Sequence, residues 1–243
     1  MINSTLEKLN IKIFADGADI NQIKIYYDDP LIKGFTTNPT LMRNQGIDNY
    51  ENFAKEILCI VKDKPISFEI FADDSSSIIE QAKYISSWAS NIYVKIPVTT
   101  TSGEFLGEAI KTLSNDKIKL NITAVFTIEQ VKNIINNLNQ NTPAVISIFA
   151  GRIADAGIDP VKYFSKCIEN KKENSNIEFL WASPRELYNL FHAEDAGADI
   201  ITISQDLINK LPNIGKDLSL YSKETVKMFY NDAKAAGYQL NST

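Results

Sequence analysis

One histidine, His192, and two cysteines, Cys59 and Cys167, are all the imidazole and thiol that 243 residues offer a transition metal. Zinc sites draw on several such ligands, so a zinc-dependent aldolase or hydrolase is disfavoured and no metal is expected. Both cysteines fall in segments of helical period without a partner motif, which points to reduced, packed thiols. No tract rich in Gly, Pro or Ser interrupts the chain and no charge run marks a linker or tail, so one domain over residues 1–243 is expected. Positive charge is in the minority: 25 Lys and Arg against 30 Asp and Glu, a net charge of −5. That balance suits neither a nucleic-acid partner nor an anionic membrane. No apolar run approaches the length that spans a bilayer. The opening MINSTLEKLNIKIF lacks the basic-then-apolar pattern of a secretion signal. A cytoplasmic location is the expectation.

What the sequence does contain is a regular alternation. β-Branched or aromatic runs stand at residues 11–16, 34–39, 66–71, 92–98, 120–126, 144–151, 177–183 and 199–204. Segments of helical period lie between them, for example at 50–62, 75–89, 104–113, 128–138, 160–171 and 185–196. Pro160 suits a first helical turn, and Ser75 and Thr127 are candidate N-caps. A last amphipathic segment, 223–236, stops at Gly237, a natural residue just past a helix end. Strand–helix units in this number close a barrel. The predicted fold is α/β, a single (β/α)8 TIM barrel with an extra C-terminal helix. A doubly wound open sheet would need a Gly-rich phosphate loop after its first strand, and FADGADI is not one.

A period of two sorts each strand into two faces. Ile92, Val94, Ile96 and Val98 share the face suited to helices, which turns Lys95 inward with Tyr93 and Pro97. The same parity turns Glu69 inward from ISFEIF, Asn121 and Thr123 from LNITAVF, and Asp16 from IKIFAD, while Asn38 lies near the end of GFTTNP. Each alone has a plain reading: Lys95 as a buried ion-pair partner, Asn38 as a strand terminator, Thr123 as an ordinary strand residue. Together, late in five consecutive strands, they converge where barrel enzymes keep their active sites. A lysine that attacks a carbonyl needs its pKa brought from about 10.4 toward roughly 7–8. Burial acts in that direction and nearby carboxylates oppose it. Without a metal or cofactor motif, Schiff-base chemistry is the economical reading. Arg152 after the sixth run, with Ser183 and Arg185 after the seventh, suits a phosphate group; surface ion pairing is the competing role for both arginines.

The segments FADGADI, GFTTNPTL, FEIFA, YVKIPVT, NITAVF, SIFAGRI and WASPRE occur in an order that resembles the transaldolase family, with TTNPT and VKIP the most specific. The resemblance runs from about Lys12 to Leu211 and implies a cofactor-free barrel acting on phosphorylated ketoses and aldoses. It implies that Lys95 forms an iminium with the C2 ketone of fructose 6-phosphate or sedoheptulose 7-phosphate. Asp16 would take the C4 hydroxyl proton, and Glu69, with Thr123 and a water, would relay protons. Asn38, Asn121 and Ser147 would hold the dihydroxyacetone unit, and Arg152, Ser183 and Arg185 the phosphate. Gly17 stands where the family usually has threonine, and Pro184 where an aromatic is common. The chain is nearer the short branch, which includes fructose 6-phosphate aldolases releasing free dihydroxyacetone and is similar in forming pentamers or decamers. Glu69 and Phe149 resemble the transferases, since the aldolases tend to carry glutamine and tyrosine there. A non-catalytic sugar-phosphate sensor would be expected to lack Lys95, Glu69 or Asp16, and all three are present.

Overall fold

The computed structural model describes residues 6–169, 171 and 175–240. The chain divides into two compact units, Asn10–Ile208 and a second that joins Asn209–Thr243 with Met1–Leu9.

The larger unit is a closed barrel of eight parallel strands in sequence order. They are β1 (Lys12–Asp16), β2 (Ile32–Thr36), β3 (Ile66–Glu69), β4 (Ile92–Pro97), β5 (Leu120–Val125), β6 (Ala144–Ile148), β7 (Ile177–Trp181) and β8 (Ile200–Ser204), and β8 pairs back onto β1. The crossovers carry α1 (Ile20–Asp28), α2 (Pro39–Asn44), α3 (Tyr50–Ile60), α4 (Ser75–Ser86), α5 (Gly107–Asn115), α6 (Ile128–Asn137), α7 (Ala150–Asp155), α8 (Pro160–Ile168), α9 (Asn189–Asp195) and α10 (Gln205–Ile208). The predicted barrel is the observed one.

Strand β4 shows why these runs are strands. Ile92, Val94 and Ile96 are buried on the helix side while Tyr93, Lys95 and Pro97, turned inward, keep partial exposure. Each buried Ile or Val contributes roughly 1.5–3 kcal/mol relative to an exposed one. Inside the barrel, Phe14, Val145, Leu180, Ala182 and Ile200 form an apolar cluster backed by Tyr93 and Phe149. Gly34 makes room for it, because a Cβ there would stand 2.5 Å from the Phe14 ring. The apolar filling comes chiefly from β1 and β6–β8, while most polar inward residues stand on β2–β5 and at Asp16, Ser147 and Thr202.

Several boundaries differ from the sequence reading, each for a local reason. Strand β2 runs from Ile32 to Thr36 rather than over 34–39, because Asn38 begins α2: its Oδ1 accepts from the Leu41 N–H at 2.9 Å and Pro39 fills the first turn. In β5 the alternation expected through Ala124 and Phe126 holds only as far as Ile122. Ala124 adopts φ 58°, the pairing with β6 slips between Ile122 and Val125, and Val125 becomes the next fully buried residue. Asp74, not Ser75, caps α4, accepting from the Ser77 N–H, whereas Thr127 caps α6 in a reciprocal box with Gln130. The segment 185–196 is helical only from Asn189 to Asp195. Helix α1, absent from the sequence reading, is capped by Asp19 and buries only Ile23 and Tyr26, too little apolar periodicity to stand out.

In the smaller unit α11 (Leu218–Ala235) starts five residues before the expected 223, where Asp217 accepts from the Leu220 N–H at 2.8 Å. None of its residues is buried, and Leu218, Val226, Phe229 and Tyr230 are all exposed.

Candidate active site

Strand register brings the polar inward residues to one level. Glu69 pairs with Lys95, Lys95 with Asn121, and Pro97 with Thr123 along β3, β4 and β5, while Asp16 pairs with Thr36 and Ser204 across β1, β2 and β8. Parallel strands in a barrel present their ends at one mouth. Here a cavity of about 500 Å³ is lined by Asp16, Asn38, Lys95, Thr123, Ser147, Phe149, Arg152, Ser183 and Arg185, among others. Glu69 and Asn121 do not line it. They are both buried, and they hydrogen-bond to Lys95 and Ser147, which do.

Lys95 sits at the floor. Its Nζ donates to Glu69 Oε1 at 2.9 Å and to the Thr37 carbonyl at 2.7 Å, and the two side chains are only 11% and 8% exposed. Burial pushes the Glu69 carboxyl above the usual carboxylate range against the opposing charge of Lys95, and the nearby Asp16 adds to the rise. Burial raises Asp16 as well, with the Lys95 charge again opposing. Asp16 is held from both sides: Thr36 Oγ1 donates to Oδ1 at 2.7 Å and Asn38 Nδ2 to Oδ2 at 3.3 Å. The capping bond of Asn38 fixes its amide orientation, so its Nδ2 necessarily faces Asp16. Thr36 in turn lies 2.5 Å from the Thr202 hydroxyl of β8.

Asn121 bridges Ser67 and Ser147, donating to Ser67 Oγ at 2.9 Å while its Oδ1 accepts from Ser147 Oγ at 2.6 Å. Thr123 Oγ1 is buried and has no hydrogen-bond partner among the described residues. Thr36, Thr37, Ser67 and Thr202 were not singled out from sequence. Serine and threonine are ordinary strand residues, and only the closed register shows whom they face.

The rim is built differently. Arg152 lies in the short helix α7, its guanidinium 5.5 Å from the Phe149 ring centroid. Ser183 follows β7 with φ 63°, and Gly151 packs so tightly beneath it that a Cβ would stand 1.5 Å from the Ser183 carbonyl. Gly151 therefore lets the turns after β6 and β7 meet. Arg185 is ion-paired with Asp155, and both are about half exposed. Among the described residues no three His, Cys, Asp or Glu side chains converge as a metal site. No described helix is long and apolar enough to cross a membrane.

The transaldolase/fructose-6-phosphate aldolase family profile matches residues 13–243. The chain belongs to this family. It is 34% identical over 204 residues to a probable transaldolase 2 of Listeria monocytogenes, covering 83% of this chain and 88% of that protein. It is 33% identical to a probable transaldolase of Methanococcus maripaludis, over 84% and 90% of the two chains. A type I 3-dehydroquinate dehydratase from Clostridium difficile shares the barrel fold, with a TM-score of 0.55 at 12% identity over 84% and 92% of the chains. Within the family frame Gly17 gains a physical reading: a Cβ there meets nothing within 4 Å, so a side chain would fit and its absence leaves open space beside Asp16.

Proposed function

We propose that this protein is a transaldolase that moves a dihydroxyacetone unit between sugar phosphates through a Schiff base on Lys95. The observation that carries the reading is the enclosed Lys95–Glu69 pair at the floor of a cavity whose rim holds Arg152, Ser183 and Arg185. A ketose phosphate such as fructose 6-phosphate or sedoheptulose 7-phosphate would lie with its phosphate at that rim and its C2 carbonyl at Lys95. Nζ adds to C2, and proton delivery through Glu69, with Thr123 positioning a water, expels the C2 oxygen as water to give the iminium. Asp16 takes the C4 hydroxyl proton, the C3–C4 bond breaks, and the aldose phosphate leaves. The enamine adds to the aldehyde carbon of erythrose 4-phosphate or glyceraldehyde 3-phosphate. Asp16 returns its proton to the new C4 hydroxyl, and water releases the product ketose from Lys95. Asn38, Asn121 and Ser147 hold the dihydroxyacetone hydroxyls directly or by fixing one another.

Phe149 favours transfer over simple cleavage. Its ring packs 5.5 Å from Phe126 and brings no hydroxyl to the mouth that could protonate the enamine. A fructose 6-phosphate aldolase releasing dihydroxyacetone is the second reading, since the family description covers both activities. Glyceraldehyde 3-phosphate release from fructose 6-phosphate, measured with and without erythrose 4-phosphate, separates them. Release that needs the acceptor supports the transferase; release without it, with free dihydroxyacetone, supports the aldolase. We also propose a homo-oligomer, a pentamer or decamer as in the short branch, because α11 keeps no residue buried and presents Leu218, Val226 and Phe229 outward. Light scattering that returns a monomer rejects this. A cytoplasmic location is part of the same proposal.

A further inference from the structure

Thr37 Oγ1 has two oxygen neighbours at the same distance, the Ser67 carbonyl at 2.9 Å and Glu69 Oε2 at 2.9 Å. A hydroxyl carries one proton, so Thr37 can donate at full strength to only one of these oxygens, and the other contact is best satisfied when its partner supplies a proton. The Ser67 carbonyl has none to give; it already accepts the Thr37 backbone N–H at 3.3 Å. Glu69 Oε2 is the one group that can donate. With the proton on Glu69, every contact is satisfied at once: Oε2–H to Thr37 Oγ1, Thr37 O–H to the Ser67 carbonyl, and two Lys95 N–H bonds to Glu69 Oε1 and the Thr37 carbonyl.

The neighbouring threonine differs in its second partner, a hydroxyl rather than a carbonyl. Thr36 can accept from Thr202, which leaves its own proton for Asp16, and Asn38 adds a second donor to the same carboxylate. We infer that Thr37 is a positioning residue that holds a proton on Glu69, so that the adjacent threonines of the TTNP segment sort the two carboxylates into an acid, Glu69, and a base, Asp16. This rests on the Schiff-base reading above and deepens it. It also places a proton donor beside the carbinolamine before substrate arrives. Glu69 faces Lys95 from β4 and Asp16 from β1, and the Tyr50 hydroxyl of α3 donates to its backbone carbonyl at 2.9 Å. β2, β5 and β8 bring hydroxyls and amides.

The test is the pH dependence of cyanoborohydride trapping of fructose 6-phosphate on the intact protein, compared among wild type, Thr37→Val and Thr37→Ser. Loss of the hydroxyl removes the acceptor for the Glu69 proton, so the proton returns to the amine. The rising limb of trapping then moves to higher pH by about one unit, roughly a tenfold loss near neutrality that disappears in alkali, and serine restores the wild-type limb. A limb that moves to lower pH means Thr37 donates to an ionised Glu69, and it overturns the inference. So does an unmoved limb or a loss uniform across pH. If the valine variant does not fold, infrared difference spectra of wild type against Glu69→Gln decide instead: a protonated carboxyl band assigned to Glu69 is expected at neutral pH, and its absence overturns the assignment. Failure of wild type to trap any ketose at any pH would sink the Schiff-base reading itself, a separate outcome.

Discussion

Two contacts between a basic side chain and a carboxyl sit at the two levels of this site, and they differ in nearly everything that follows from burial. Lys95 and Glu69 meet at the floor with about nine-tenths of each side chain out of water, while Arg185 and Asp155 meet at the rim with half of each exposed. At the floor, removing one partner strands the other in a medium that penalises its charge, a cost of about 3–5 kcal/mol unless the group takes up a proton. At the rim, water and salt screen the pair, and such contacts contribute about 0–1 kcal/mol. The floor is therefore suited to setting protonation states, and the rim to exchanging one partner for another, as a guanidinium does when a phosphate displaces a carboxylate.

The comparison is broken hardest at the floor. Lys95→Met should abolish ketose trapping and lower kcat by on the order of 10⁴-fold or more; a trapped adduct in that variant refutes the central claim. The pH dependence of its stability should also grow, since the Lys95 charge that opposes the rise is gone. The folded Glu69 carboxyl already binds its proton more tightly than an unfolded one, because of burial. Without Lys95, stability is full below the unfolded carboxyl value of about 4.3 and declines as pH rises through the higher folded value. Urea titrations across pH, read against wild type, check this sign.

Gly151→Ala attacks the rim through the backbone. Since the new methyl would collide with the Ser183 carbonyl, a loss of about 1–3 kcal/mol is expected, together with a raised KM for fructose 6-phosphate. Trapping of unphosphorylated dihydroxyacetone at Lys95 should survive in whatever fraction folds; its loss in the folded protein would mean floor and rim are not separable. Arg185→Ala is milder for the fold and specific for the ligand. KM for phosphorylated substrates should rise roughly 10–100-fold, the equivalent of one charge-assisted contact of about 1.5–3 kcal/mol, with unfolding free energy within about 1 kcal/mol of wild type. Equal effects on dihydroxyacetone would remove its phosphate role. Asp155→Asn gives the smallest change: it frees Arg185, so KM should fall slightly, by less than about threefold, with stability within about 1 kcal/mol. A rise in KM would show that Asp155 orients the guanidinium rather than competing for it.

Much of the floor was legible beforehand because strand parity is strict: in IYVKIPV the alternation alone turns Lys95 inward, and Glu69 and Asn121 follow from the same rule. The rule stopped at Ala124, where a bulge no residue type announces shifts the period, and it ran past the end of β2, where Asn38 and Pro39 are a helix start that resembles a strand end. The rim was legible only as composition. Arg152, Ser183 and Arg185 were recognisable as phosphate-binding types, but the Asp155 partner and the Gly151–Ser183 contact join turns from different strands.

By itself, the sequence determined the eight-unit barrel, the inward set on β1 and β3–β5, and the likeness to the transaldolase family, because apolar periodicity and short motifs are local properties of the chain. Only the tertiary structure decided which neighbour each polar group meets: Thr37 between Ser67 and Glu69, Thr36 between Asp16 and Thr202, Asn121 between two serines. The physical reason is that a proton's position depends on distances of a few ångströms across separate strands, and those distances exist only once the barrel has closed.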